Sequence, residues 1–128
     1  MTDSSSHADL GALAAGAAPG SAWQAEAGDL RARLVVLAPD GELSGHVNRE
    51  VDLVLMGVSG GGVVTLDGED VILGPGVAVL VAQGTHRRVG AGSEGLSLLA
   101  VHRRTATSPA WRWRPRRRRP WEDPWEEE

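Results

Sequence analysis

The sequence predicts an all-β protein, an antiparallel barrel or sandwich, on three observations. Short apolar runs recur between residues 30 and 102, with turn residues about every six to ten positions. The first of these runs alternates with period two. No stretch in the same region carries the 3.6-residue spacing of an amphipathic helix.

In the first run, Leu30, Ala32, Leu34 and Val36 alternate with Arg31 and Arg33, the pattern of a half-buried strand with its arginines in water, and Pro39-Asp40-Gly41 turns the chain. A short extended piece over residues 43–48 leads through Arg49-Glu50 into an apolar strand over residues 51–58. Ser59-Gly60-Gly61-Gly62 has the composition of a tight hairpin, returning through residues 63–66. Asp67-Gly68 is the strongest hairpin signal in the chain and leads into residues 69–73. After Gly74-Pro75-Gly76, the apolar run over residues 77–82 predicts a strand covered on both faces. Gln83-Gly84-Thr85 turns the chain into residues 86–91. Gly92-Ser93-Glu94-Gly95 then separates these from a last strand over residues 96–102.

The ends differ in composition. Residues 1–22 are rich in Ala, Gly and Ser and read as a disordered arm with room for a short helix near residues 8–15. Residues 105–128 combine Trp111-Arg112-Trp113-Arg114, four consecutive arginines, four prolines counted from residue 109 and an acidic close. They read as a disordered tail of basic and acidic blocks. The barrel domain is thus expected over residues 23–104. A core drawn from so short a segment favours pairing of two chains, so a homodimer is expected.

Composition excludes several functions. Cysteine is absent, which removes disulfides, thiolate metal sites and thiol nucleophiles. All thirteen basic residues are arginine, and residues 1–108 hold seven of them against twelve acids, a net charge of −5. That acidity argues against nucleic-acid binding by the barrel, leaving at most a weak contribution from residues 111–119. No apolar run is long enough to span a membrane and Met1-Thr2-Asp3 lacks a basic leader, so a cytoplasmic location is expected. There is no phosphate-binding Gly-Lys-Ser/Thr loop, and Ser59, Ser93 and Ser97 have no nucleophile-elbow context.

The polar stretch from His46 to Asp52, followed by Leu53 and its apolar run, is the candidate functional centre. Between Gly41 and His102 the order of elements resembles small single-domain cupins. Gly41, His46, Asn48, Asp52 and Gly60 stand where that family carries its first motif, and Gly76, Ala82, Gly84 and Arg87 where it carries its second. The resemblance implies an antiparallel, jelly-roll-like cupin barrel whose metal ligands map onto His46, Asn48, Asp52 and Arg87. Of these, Asn48 is a weak ligand for a transition metal and Arg87 cannot ligate a cation at all.

Two readings follow. In the first, the metal site is degenerate and His46, Asn48, Asp52 and Arg87 line a pocket for a small polar or anionic ligand, with Asp52 buried against Arg87 in place of the metal. In the second, a bulge near Gly84 turns His86 inward, and His46, Asp52 and His86 hold iron, manganese, nickel or zinc in a metal-dependent dioxygenase or isomerase. A third reading places an interaction function in the Trp/Arg tail. His102, with Arg103 and Arg104, is read as a polar cap on the last strand.

Overall fold

The computed structural model describes residues 6–47 and 51–104. Asn48, Arg49, Glu50 and the expected tail lie outside the described residues. Among the described residues one short helix, α1 (Leu10–Gly16), precedes seven strands: β1 (Gly20–Glu26), β2 (Leu30–Leu37), β3 (Glu42–Val47), β4 (Leu53–Leu66), β5 (Glu69–Leu73), β6 (Ala78–Val81) and β7 (His86–Arg103). Every pair of these strands is antiparallel.

β4 and β7 organise the sheet. They pair on both sides of a central bend, from Leu53 opposite His102 to Leu66 opposite Arg87. At 14 and 18 residues they are far longer than ordinary strands. The ribbon bends where glycine lets it bend: its register shifts between Gly57 and Ser59 and again between Gly60 and Gly62. Gly60 and Gly95 have φ of 73° and 81°. A side chain at Gly57 or Gly62 would run into the carbonyl of Gly74 or Gly90.

The glycine run at 59–62 is therefore a bulged bend inside β4, where the sequence predicts a hairpin. Residues 92–95 likewise continue β7 and do not break it. A hairpin and a bulged bend ask for the same residue, one without a Cβ and free to take positive φ, so composition cannot tell them apart. Asp67-Gly68 is a true hairpin turn, with φ of 48° and 87°, the two positive values that a type I′ turn requires.

Folded at its glycines, the ribbon lays one half over the other. The first half, with Leu53 to Met56 of β4, carries β6 on one flank and β2 then β1 on the other. The second half carries β5 beside β4 and β3 beside β7. Val35, Leu37, Leu53, Leu55, Val79, Val81, Leu98 and Ala100 meet Leu43, Val64, Leu73 and Val89 in the space between. Burial of such side chains contributes roughly 1.5–3 kcal/mol each.

A second apolar cluster lies on the outer face of β2. Trp23, Leu34 and Val36 pack there under α1, with Leu10, Leu13, Val58 and Leu99 around them. The carboxylate Oδ1 of Asp9 caps the helix by accepting from the Ala12 amide at 3.1 Å. A helix of seven residues depends on this packing. Ordered structure thus extends below the boundary expected at residue 23, through β1 and α1.

β2 corrects a second expectation. Leu30 is 55% exposed, whereas Arg31 and Arg33 are 2% and 1% exposed. The alternation is real, but the strand is covered on both faces, and Arg31 and Arg33 fall in phase with Val35 and Leu37 on the barrel side. β6 shows the reverse. The sequence predicts cover on both faces, yet the burial alternates and Leu80 is 68% exposed, because β6 pairs with β4 on one side and its outer face stays open among the described residues.

Candidate functional site: a cationic end to the barrel

Among the described residues, four basic side chains are buried: Arg31, Arg33, Arg87 and His102. Register brings them to one end of the interior. Arg31 lies opposite His102 and Arg33 opposite Ala100, in the half that β2 and the end of β7 build. Arg87 comes from the start of β7, in the facing half, and lies between His46 of β3 and Leu66 of β4. The fold of the ribbon closes the gap: Arg31, Arg33 and Arg87 all act on His102 electrostatically.

β1 supplies the polar counterparts. Its inward residues Gln24 and Glu26 lie opposite Arg33 and Arg31. Glu26 Oε2 sits 2.9 Å from Arg31 Nε, and Glu26 Oε1 is 3.9 Å from an Arg104 guanidinium nitrogen. Arg33 Nη2 donates to Gln24 Oε1 at 3.1 Å, a neutral acceptor that orients the guanidinium without cancelling its charge.

Burial lowers the pKa of both Arg31 and His102. For Arg31, desolvation leads, Glu26 opposes it and Arg104 adds to it. For His102, desolvation leads again; the backbone hydrogen bond at Arg103 opposes it, and the three guanidiniums push further down. His102 Nδ1 lies 2.9 Å from the Arg103 carbonyl, which can only accept, so Nδ1 carries the proton. The neutral ring then presents Nε2 as an acceptor among guanidinium donors.

The residues singled out from sequence divide between two faces. Arg87 is buried at 3% exposure. Asp52 is exposed, contrary to the burial expected for it, and its Oδ1 accepts from the Gln83 amide at 2.8 Å, fixing the turn after β6. His46 is in β3, opposite Arg87 in register. Asn48 lies outside the described residues. His86 is exposed and its ring lies across Gly45 on the outer surface. The bulge needed to turn it inward is on the partner strand: β3 places three steps, Leu43 to His46, against two steps of β7, Val89 to Arg87.

Two of the four positions of the family's ligand set, Arg87 and Asp52, are described in side-chain detail, and neither presents a metal ligand to the barrel interior. The second-motif position holds a guanidinium, two more lie close by, and Asp52 and His86 are outside. Among the described residues no three His, Asp or Glu side chains are grouped to hold a metal. Sequence pattern alone does not mark Arg31, Arg33 or His102 as site residues, because alternation on β2 and a polar end to β7 do not say which face is covered. The available signal was phase: Arg31 and Arg33 are four and two positions from Val35, on the same face of a strand whose next four residues are all apolar.

No protein-family model matches the chain and no curated protein matches it by sequence. Solved structures do. It is similar to a cupin protein of Bacteroides fragilis, with a TM-score of 0.57 and 18% identity over 67% of this chain and 75% of that one. It is similar to a Bacillus halodurans protein, with a TM-score of 0.67 and 14% identity over 80% and 83% of the two chains. The cupin domain of Schizosaccharomyces pombe Cnp3 gives a TM-score of 0.57 and 16% identity over 62% and 59%. Among the described residues, no helix is long and apolar enough to cross a membrane. Seven antiparallel strands among the described residues, folded around an apolar core, together with these likenesses, make the chain a cupin-fold domain.

Proposed function

We propose that the barrel binds a small anionic ligand at its arginine-lined end, without a metal. The convergence of Arg31, Arg33 and Arg87 on His102 carries this reading. Guanidinium groups offer planar, paired donors that match a carboxylate, and a partly desolvated site strengthens such bonds. Glu26 pairs with Arg31 and Gln24 orients Arg33, which holds these guanidiniums in place at the barrel end. The cluster replaces the cation of a metal-dependent cupin with fixed positive side chains.

The test is thermal stabilisation and calorimetric titration with acetate, succinate, benzoate and inorganic phosphate. At a ligand concentration 100 times Kd, binding adds about 2.7 kcal/mol, a readily measured shift. Arg87→Gln abolishes the response. Arg88→Gln, a change at the exposed neighbour on the opposite face, preserves it. If no anion shifts the transition, or if both substitutions act alike, the proposal fails.

A further inference from the structure

The outer face of the first sheet half is covered at one end only, among the described residues. α1 packs over Leu34, Val36, Val58 and Leu99. The next rank is set by register: Ala25 opposite Ala32, Ala32 opposite Val101, Val101 opposite Val54, and Val54 opposite Leu80. All five side chains are apolar, and the open end holds Val54 at 40% and Leu80 at 68% exposure. Beyond the rank lie exposed Leu30, Arg103 opposite it, and Asp52.

Area selects the occupant. Five strands about 4.8 Å apart, open to a depth of about 10 Å, give a face of roughly 240 Å² in projection. A stable dimer needs about 800 Å² from each partner. One or two indole rings, burying about 150–250 Å² each, match the face far better.

The chain supplies such rings where the rank ends. β7 closes at Arg103, and the residues after Arg104 hold Trp111, Trp113, Trp121 and Trp125, four of the five tryptophans in the sequence. The seven residues from Arg104 to Trp111 can reach up to about 25 Å, the full width of the face. A tethered segment acts at an effective concentration near millimolar, well above that of a second copy in dilute solution. In an extended segment Trp111 and Trp113 would share one side and Arg112 the other.

We infer that the Trp111-Arg112-Trp113 segment docks on the open rank formed by Val54, Val101 and Leu80. It covers this face within one chain and closes it to a second copy.

The absence of cysteine makes the test direct. Leu80→Cys and, separately, Ile72→Cys are introduced into the full chain and their reaction with a maleimide is timed. Ile72 is 79% exposed on β5, away from the rank. The Leu80→Cys protein is expected to react at least tenfold more slowly than the Ile72→Cys protein. Adding Trp111→Ala and Trp113→Ala is expected to bring it within twofold, at every protein concentration. Val54→Cys gives an independent reading of the same face. Equal rates for the Leu80→Cys and Ile72→Cys proteins overturn the inference, as does protection that survives loss of both tryptophans. Protection that grows with protein concentration assigns the face to a second copy and overturns it too.

Discussion

Glu26→Gln isolates the electrostatics of the barrel end. The change keeps the shape of the side chain and removes its charge, leaving the buried Arg31 beside the repelling charge of Arg104. Removing one partner of a fully buried ion pair costs about 3–5 kcal/mol, while an exposed pair is worth about 0–1. Arg31 is 3% exposed and Glu26 32%, so solvent screens one partner and not the other. An intermediate loss of about 2 kcal/mol is expected, or roughly 10 °C in Tm for a domain of this size. Urea and thermal unfolding at pH 7.5 and low salt measure it. Adding Arg31→Met to Glu26→Gln is expected to recover most of the loss, because an apolar chain of similar length needs no counter-charge. Small anions that bind the barrel are expected to stabilise Glu26→Gln more than the unaltered protein. A Glu26→Gln variant within about 0.5 kcal/mol of the parent, or a double variant no better than the single one, would refute the reasoning.

Two further outcomes follow from the same structure. The folded chain holds the His102 imidazole below its ordinary value of about 6.5, first by burial and then by the nearby guanidiniums, so the unfolded chain takes up the proton first. Stability is therefore full above about pH 6.5 and falls as the pH drops, by up to about 1.4 kcal/mol per unit; His102→Asn should flatten that slope between about pH 6.5 and 5, and an unchanged slope in chemical denaturation would count against it. At the bend of the ribbon, Gly62→Ala drives a Cβ into the Gly90 carbonyl and is expected to cost about 3 kcal/mol or more. Gly68→Ala meets open space and suffers only its φ of 87°, about 1–2 kcal/mol. Equal urea midpoints for the two alanine variants would show that the bend tolerates a side chain.

The residues that stay local in their effects were legible in the sequence. Asp67-Gly68 specifies its turn because only its own two φ values are at stake. The strands over residues 30–37, 53–56 and 96–102 follow from their apolar content, and the cupin-like order of turns from Gly41 onward indicates the barrel. The N-terminal edge was harder to see. Trp23 and Ala25 alternate with Gln24 and Glu26, but four residues beside an Ala- and Gly-rich segment carry little pattern until β2 is there to pair with them.

The candidate site was legible only in part, and Arg87 shows both sides of this. Its position in the second motif marked it as a lining residue, and it is buried between β3 and β4. Asp52, its expected counter-ion, instead faces outward and holds the Gln83 amide. Its fate turns on how the chain enters β4, and an apolar strand immediately after it fixes the phase of Leu53 but says nothing of what lies before.

Sequence by itself determined the class of fold, the main turns and the absence of thiol chemistry, all properties of residues and their near neighbours. Tertiary structure decided which face of β2 is interior and whether the glycine runs are hairpins or bends. It also decided that Arg31 and Arg33 of β2 and Arg87 of β7 share a single end of the barrel. The physical reason is common to all three. Period-two alternation divides a strand into two faces without naming either, and glycine permits a bend without choosing its partner. Only closure of the β4–β7 ribbon brings Arg87 to Arg31 and Arg33, more than fifty residues away along the chain.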